Sequence, residues 1–363
     1  GFKYGWNPKL QAVLEQQWQQ QGPIWKGIQQ TVAAQTPSAH ATVKSSARST
    51  RPSTQQRHHS STPKPSTTRT TPKKTPVGHE SHSSGTNNLE SCLDQLHSLV
   101  GLDTVKSTVQ ELVNITKVAQ MQANVGLKAP AITRHLVFTG NPGTGKTTVA
   151  RLLGDIYKNL QVLSKGHFTE VDRSKLVAEY VGQTAPKTSE AIQAALGGVL
   201  FIDEAYALVP EGRPDPFGQE AVNTLLKMME DHRNDLVVIV AGYKAEMGRF
   251  IDSNPGLKSR FARSVDFSDY SPTELTDIFR IRCEQHGYLF SDTMLKSVSV
   301  LIGQFEGQVG ELGNGRFVRN IFDRCIALQC SRLASLTQPT KEDLKTFLPV
   351  DVPTVEQLSQ FLL

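Results

Sequence analysis

The chain has 363 residues, 38% of them hydrophobic, four cysteines and a formal net charge of +5. That length accommodates one or two domains, and four cysteines are too few to staple a fold of this size. The first 90 residues hold 11 Lys/Arg against 3 Asp/Glu and the remainder 28 against 31, so the positive charge belongs to one end and argues against a nucleic-acid surface on the globular part.

Residues 1–30 carry Trp6, Trp18 and Trp25, and Leu10, Val13, Leu14 and Trp18 fall at helical spacing, which predicts a short amphipathic helical segment suited to docking. Because the chain opens at Gly1 rather than Met, a fragment or a processed form is expected. Residues 31–88 are rich in Ser, Thr, Pro and basic side chains and lack large apolar ones. Such a stretch cannot bury enough surface to offset its ordering entropy, so a disordered basic linker is expected. Its His58, His59, His79 and His82 are either solvated or metal-binding, and its Lys/Arg offer at most a salt-sensitive attraction to nucleic acid.

From residue 89 the pattern changes. Leu89, Cys92, Leu93, Leu96 and Leu99 form a helical stripe, and a second helix opens near Asp103 and runs to about Asn124. Short apolar runs (136–139, 168–171, 199–202, 237–241, 264–267) then alternate with helix-period segments (145–160, 188–196, 219–231), which predicts a parallel sheet covered by helices on both faces over 89–270. After Ser271 strand patterns vanish, and four helices are expected over 272–286, 291–305, 316–334 and 341–347. Ser271, Ser291 and Thr340 stand as caps, so 271–350 reads as a small helical subdomain and 351–363 as a C-terminal tail. Cys92, Cys283, Cys325 and Cys330 lack C-x-x-C spacing and fit reduced thiols in a cytoplasmic setting. No apolar run reaches the ~18 residues of a membrane span, and no signal peptide is visible.

Two segments carry chemistry. Gly140, Asn141, Pro142, Gly143, Thr144, Gly145, Lys146 and Thr147, followed by Thr148, fit G-x-x-x-x-G-K-[ST] between an apolar strand and a helix. Glycines turn backbone N–H groups inward around phosphate, and the helix N-terminus adds its positive end. Lys146 would reach the β/γ-phosphates and the Thr147 hydroxyl would ligate Mg2+. Val199–Ile202 lead into Asp203 and Glu204, 57 residues beyond Lys146. At the carboxyl end of a buried strand, Asp203 would hold Mg2+ and Glu204 would orient and deprotonate a water. No N-K-x-D element follows, so the nucleotide expected is ATP.

These segments, together with Leu99-Val-Gly-Leu102, Tyr180-Val-Gly-Gln-Thr-Ala-Pro-Lys-Thr188, Val237–Tyr243, Asn254-Pro-Gly-Leu-Lys-Ser-Arg260-Phe261 and Gly313-Asn-Gly-Arg316-Phe-Val-Arg319, resemble the AAA+ ATPase group that contains red-type Rubisco activase, the stage V sporulation protein K and the ATPase of mycobacterial type VII secretion. The resemblance implies a P-loop NTPase sheet sandwiched by helices, followed by a four-helix AAA+ lid. It further implies a homo-oligomeric ring, usually hexameric, that hydrolyses ATP between subunits and threads a protein client through a central pore. Tyr180, Val181 and Gly182 resemble the pore loop that grips this client. Arg260 resembles an arginine finger reaching a neighbour's nucleotide, with Arg263 as the rival, and Arg316 resembles the sensor-2 arginine, with Arg319 next. Near Ala241–Tyr243 no Asn or Thr stands where the polar sensor of the fourth strand is common, so that sensor stays unassigned. Residues 210–218 read equally as a second pore loop or a surface loop. The alternative function is a nucleic-acid-associated or clamp-loader-like ATPase that uses the basic tail.

Overall fold

The computed structural model describes residues 85–127, 133–212 and 215–362. The expected N-terminal helix, residues 31–84 of the expected linker and its four histidines lie outside the described residues. Helix α1 (Gly85–Ser98) begins inside the segment read as linker, and α2 (Asp103–Asn124) follows it.

Five parallel strands form the central sheet: β1 (Leu136–Gly140), β2 (Phe168–Val171), β3 (Val199–Ile202), β4 (Val237–Gly242) and β5 (Arg263–Phe267), in the order β2-β3-β4-β1-β5. β1 lies at the crossing point between β4 and β5, with Leu136 opposite Ile239 and Arg263. Side chains alternate between the faces with the strand period of two. On one face Phe138, Phe201 and Ile239 pack with α1, α2 and α3 (Lys146–Asn159). On the other, Val137, Ile202 and Val240 meet side chains of α5 (Thr184–Ala194), α6 (Pro216–Asp231), α7 (Lys244–Asp252) and α8 (Pro255–Arg260). β2 and α5 are linked by the single turn α4 (Arg173–Leu176). Burial on both faces is what makes the central strands β3 and β4 read as unbroken apolar runs, whereas the edge strands β2 and β5 carry polar residues.

Helix starts are set by local chemistry. Asp215 accepts from the Gly218 N–H ahead of α6, and Asn254 accepts from the Gly256 N–H ahead of α8; each is followed by proline at the first helical position. Ser271 and Glu274 form a reciprocal capping box that opens α9 (Pro272–Gln285).

The helical part contains α9, α10 (Asp292–Gly303), α11 (Val309–Leu312) and α12 (Gly315–Ala334) around a core of Phe279, Phe317 and Phe322. Three sequence expectations need correction here. Residues 341–347 form no helix: Thr340 and Asp343 exchange the hydrogen bonds of a helix start, but the chain then enters β7 (Thr346–Phe347). Strands therefore do not vanish after Ser271, because β7 pairs in parallel with β6 (Leu289–Phe290). Phe347 is fully buried and its ring stacks on Tyr288 at 4.3 Å and 5°, and this packing outweighs a weak local helix preference. Residues 351–363, read as a tail, supply α13 (Val355–Leu362), whose Leu358 is fully buried. That side chain contributes roughly 2 kcal/mol. Fully buried Asp351 accepts two hydrogen bonds from Arg332, each of 2.8 Å, and closes the same corner.

Candidate functional site

The glycine-rich segment leaves β1 at Gly140 and enters α3 at Lys146, as its sequence context implies. Gly143 has φ +72°, and a Cβ there would overlap the Gly313 carbonyl oxygen; only glycine lets the helical part approach so closely. The loop is braced from inside: fully buried Thr144 donates its hydroxyl to Asn141 O at 2.8 Å, and the Tyr270 hydroxyl donates to Thr144 O at 3.1 Å. The Lys146 ammonium donates to Gly140 O and Asn141 O, both at 2.8 Å. Burial pushes its pKa below the ordinary lysine value; Asp203 pulls it back up, and Arg316 adds a further downward push.

β3 ends directly at Asp203 and Glu204. Glu204 adopts φ 49° and ψ 43°, a left-handed conformation that costs a non-glycine residue about 1 kcal/mol or more and clusters at functional positions. Its N–H donates to Asp203 Oδ1 at 3.1 Å, which fixes the carboxylate just beyond the strand end. One cavity brings together Gly140, Pro142, Gly143, Gly145, Lys146, Thr147 and Thr148 with Asp203, Glu204 and Arg316. Tyr243 and Arg319 also line it. So does Arg282 of α9, which the sequence reading passed over.

The helical part is clasped to the loop by Asn314. This residue is fully buried at φ 51°, ψ −115°. Its carbonyl oxygen accepts from Tyr270 N at 2.9 Å, and its amide donates to Asp269 at 2.8 Å and Pro142 O at 3.3 Å. Asp269 in turn accepts from the Asn141 amide, and Gly315 N donates to Gly143 O at 3.1 Å.

Arg260 does not line this cavity. It borders a separate one with Arg134, His135, Glu230, Arg233 and Ser259. Glu230 is shared there, its Oε1 2.8 Å from Arg233 and its Oε2 3.3 Å from Arg260. His135, buried and accepting from Val238 N, has its pKa pushed down to about 4, by burial first and then by Arg260 and Arg134. The rival Arg263 pairs with Glu111 at 3.1 Å. Tyr180 and Val181 are 67% and 88% exposed, on the loop before α5.

The donor set suits magnesium. Thr147 offers a hydroxyl and Asp203 a carboxylate in one cavity, hard oxygen donors few enough to leave room for phosphate oxygens and water, as that ion prefers. Among the described residues no helix is long and apolar enough to cross a membrane, and Cys92, Cys283, Cys325 and Cys330 are all free thiols.

Comparison with known proteins identifies two matching descriptions. ATPase family associated with various cellular activities (AAA) matches residues 136–269, and AAA lid domain matches residues 271–360. Over 268 residues the chain is 42% identical to stage V sporulation protein K of Bacillus subtilis, covering 73% of this chain and 83% of that one. It is 42% identical over 267 residues to the chloroplastic ribulose bisphosphate carboxylase/oxygenase activase of Cyanidioschyzon merolae, covering 73% and 91%. To the ESX-3 secretion system protein EccA3 of Mycobacterium tuberculosis it is 39% identical over 275 residues, 71% of this chain and 44% of the relative.

Proposed function

We propose that this chain, which belongs to the AAA family of ATPases and carries its lid domain, works in a ring of like subunits and uses ATP to remodel or thread a polypeptide client. ATP hydrolysis itself follows from the family. Within the cavity, Lys146 and the loop N–H groups would hold the phosphates, while Thr147 and Asp203 would hold Mg2+, which neutralises phosphate charge when bound. Glu204, held beyond the strand end, would orient a water and take its proton. Arg316 would meet the same nucleotide from the lid. Arg260, bordering a different cavity, would serve the nucleotide of a neighbouring subunit, stabilising charge that develops on the transferred phosphoryl group.

The observation that carries the polypeptide reading is the exposure of Tyr180 and Val181 beside Gly182, which has φ +80° and open space around its Cα. Two adjacent large apolar side chains held out of the core offer contact area without sequence selectivity. The basic residues invoked by the nucleic-acid alternative all lie before residue 85, outside the described residues.

Subunit mixing tests the ring. Mixing Arg260→Ala chains with Glu204→Gln chains, each inactive alone, should restore part of the ATP turnover, because some sites then combine the Glu204 of one chain with the Arg260 of its neighbour. No recovery above either variant alone would overturn the shared site. A turnover rate that rises with DNA or RNA, and loses that response when residues 1–88 are removed, would favour the alternative.

A further inference from the structure

Arg282 belongs to α9, away from every segment that marks the nucleotide site in the sequence, yet it lines the same cavity as Lys146, Asp203 and Arg316. Its guanidinium lies over the Phe322 ring, 5.1 Å from the centroid, so the long side chain is held in place by the lid core. Its Nε is enclosed and has no hydrogen-bond partner among the described residues. An enclosed guanidinium donor without an acceptor is costly unless something else supplies one.

Its neighbours show a different fate. Arg280, two positions earlier and so on the other side of the helix, is engaged by Asp277 and Glu284. Arg319 at the cavity edge lies 3.7 Å from Asp323. The ionisable lining of the cavity comprises Lys146, Arg282, Arg316 and Arg319 against Asp203 and Glu204, an excess of positive charge. The magnesium complex of a nucleoside triphosphate carries one more negative charge than that of the diphosphate, and planar guanidinium groups match phosphate oxygens in pairs.

We propose that Arg282 is a phosphate-binding residue of the lid, contacting the polyphosphate of the bound nucleotide and strengthening the grip on ATP over that on ADP. This deepens the nucleotide-site reading above and rests on the cavity being the ATP site. With two lid arginines on different helices directed at one anion, closure of the lid responds to the charge of the nucleotide as well as to its presence.

The test is equilibrium binding of fluorescent ATP and ADP analogues with magnesium to the full chain, in a Glu204→Gln background so that ATP persists. Arg282→Met keeps an apolar stem over Phe322 and removes the guanidinium; Arg282→Lys keeps the charge. Arg282→Met should weaken ATP about tenfold or more and ADP less than about threefold, with Arg282→Lys between it and the parent. Equal weakening of both nucleotides would show that the residue acts through packing or the nucleoside, and no change would show that it makes no contact; either overturns the proposal. Lys146→Ala separates the two readings. If it loses both nucleotides while Arg282→Met loses neither, only Arg282 is misassigned; if Lys146→Ala binds both normally, the cavity assignment falls as well.

Discussion

The two halves of the described chain present functional groups in opposite ways. The α/β half sets its groups by backbone geometry, on short side chains close to the chain: the loop at Gly140–Thr147 and the left-handed Glu204 sit at the ends of strands buried on both faces. The helical half works through the tips of long side chains, Arg282, Arg316 and Arg319, mounted on two helices around an aromatic core of its own. They touch where glycine meets glycine, Gly143 against Gly313 and Gly315, and where Asn314 bridges Asp269, Tyr270 and Pro142. In the reading proposed above, the first half is the floor on which phosphate would sit and the second the roof that would meet it.

The contrast can be broken most forcefully at Glu204. If the floor is set by main chain, Glu204→Gln should lower steady-state phosphate release by about 10²–10⁴-fold while leaving nucleotide affinity within a few-fold. A matching loss of affinity would mean that the side chain, rather than the backbone, shapes the floor. Next in size is the roof's own anchor. Asp351→Ala strands the half-buried Arg332 guanidinium and should cost about 3 kcal/mol. Amide exchange in Gly315–Ala334 should then speed up by about two orders of magnitude while Val237–Gly242 stays protected; acceleration in both would show one cooperative unit.

A pH titration probes the floor from beneath. His135 is neutral in the folded protein down to a pKa of about 4, whereas the unfolded chain takes up its proton near the ordinary value. Its contribution is therefore complete above about pH 6.5 and is lost as pH falls towards 4. Between pH 7 and pH 5 the wild type should lose about 2 kcal/mol more stability than His135→Gln in chemical denaturation. An equal loss would place the titration elsewhere. The finest test concerns the clasp. Asn314→Ala keeps an unfavourable backbone without the amide, while Asn314→Gly relieves it, so the glycine variant should be about 1 kcal/mol the more stable in thermal unfolding. The reverse order would remove backbone strain from the account.

The floor was legible in the sequence because each of its parts is local. Val199–Ile202 form an apolar run ended by two acids, and Gly140–Thr147 have a spacing that few other structures require. The lid was legible only where caps and periodicity agree, as at Ser271 and Ser291. Thr340 and Asp343 make the bonds of a helix start, yet the stacking of Phe347 on Tyr288 redirects the chain, and that partner lies over fifty residues away. Pro349 and Pro353 flank Asp351 with turn signal, which hid a helix that packs through Leu358. Helices α7 and α8 were passed over because, at nine and six residues, they are too short to display a helical period. Arg282 left no local trace: it sits among other charges on an amphipathic helix, and only the fold shows which of them turns to the cavity.

One strand reaches between the two cavities. His135, just before β1, borders the cavity of Arg260, and Gly140, its last residue, borders that of Lys146. Five residues span roughly 16 Å, and the segment is hydrogen-bonded along both edges to β4 and β5. It therefore behaves as a strut with no slack. In the ring proposed above, a displacement of the Arg260 end would reach the Lys146 end through this one extended segment.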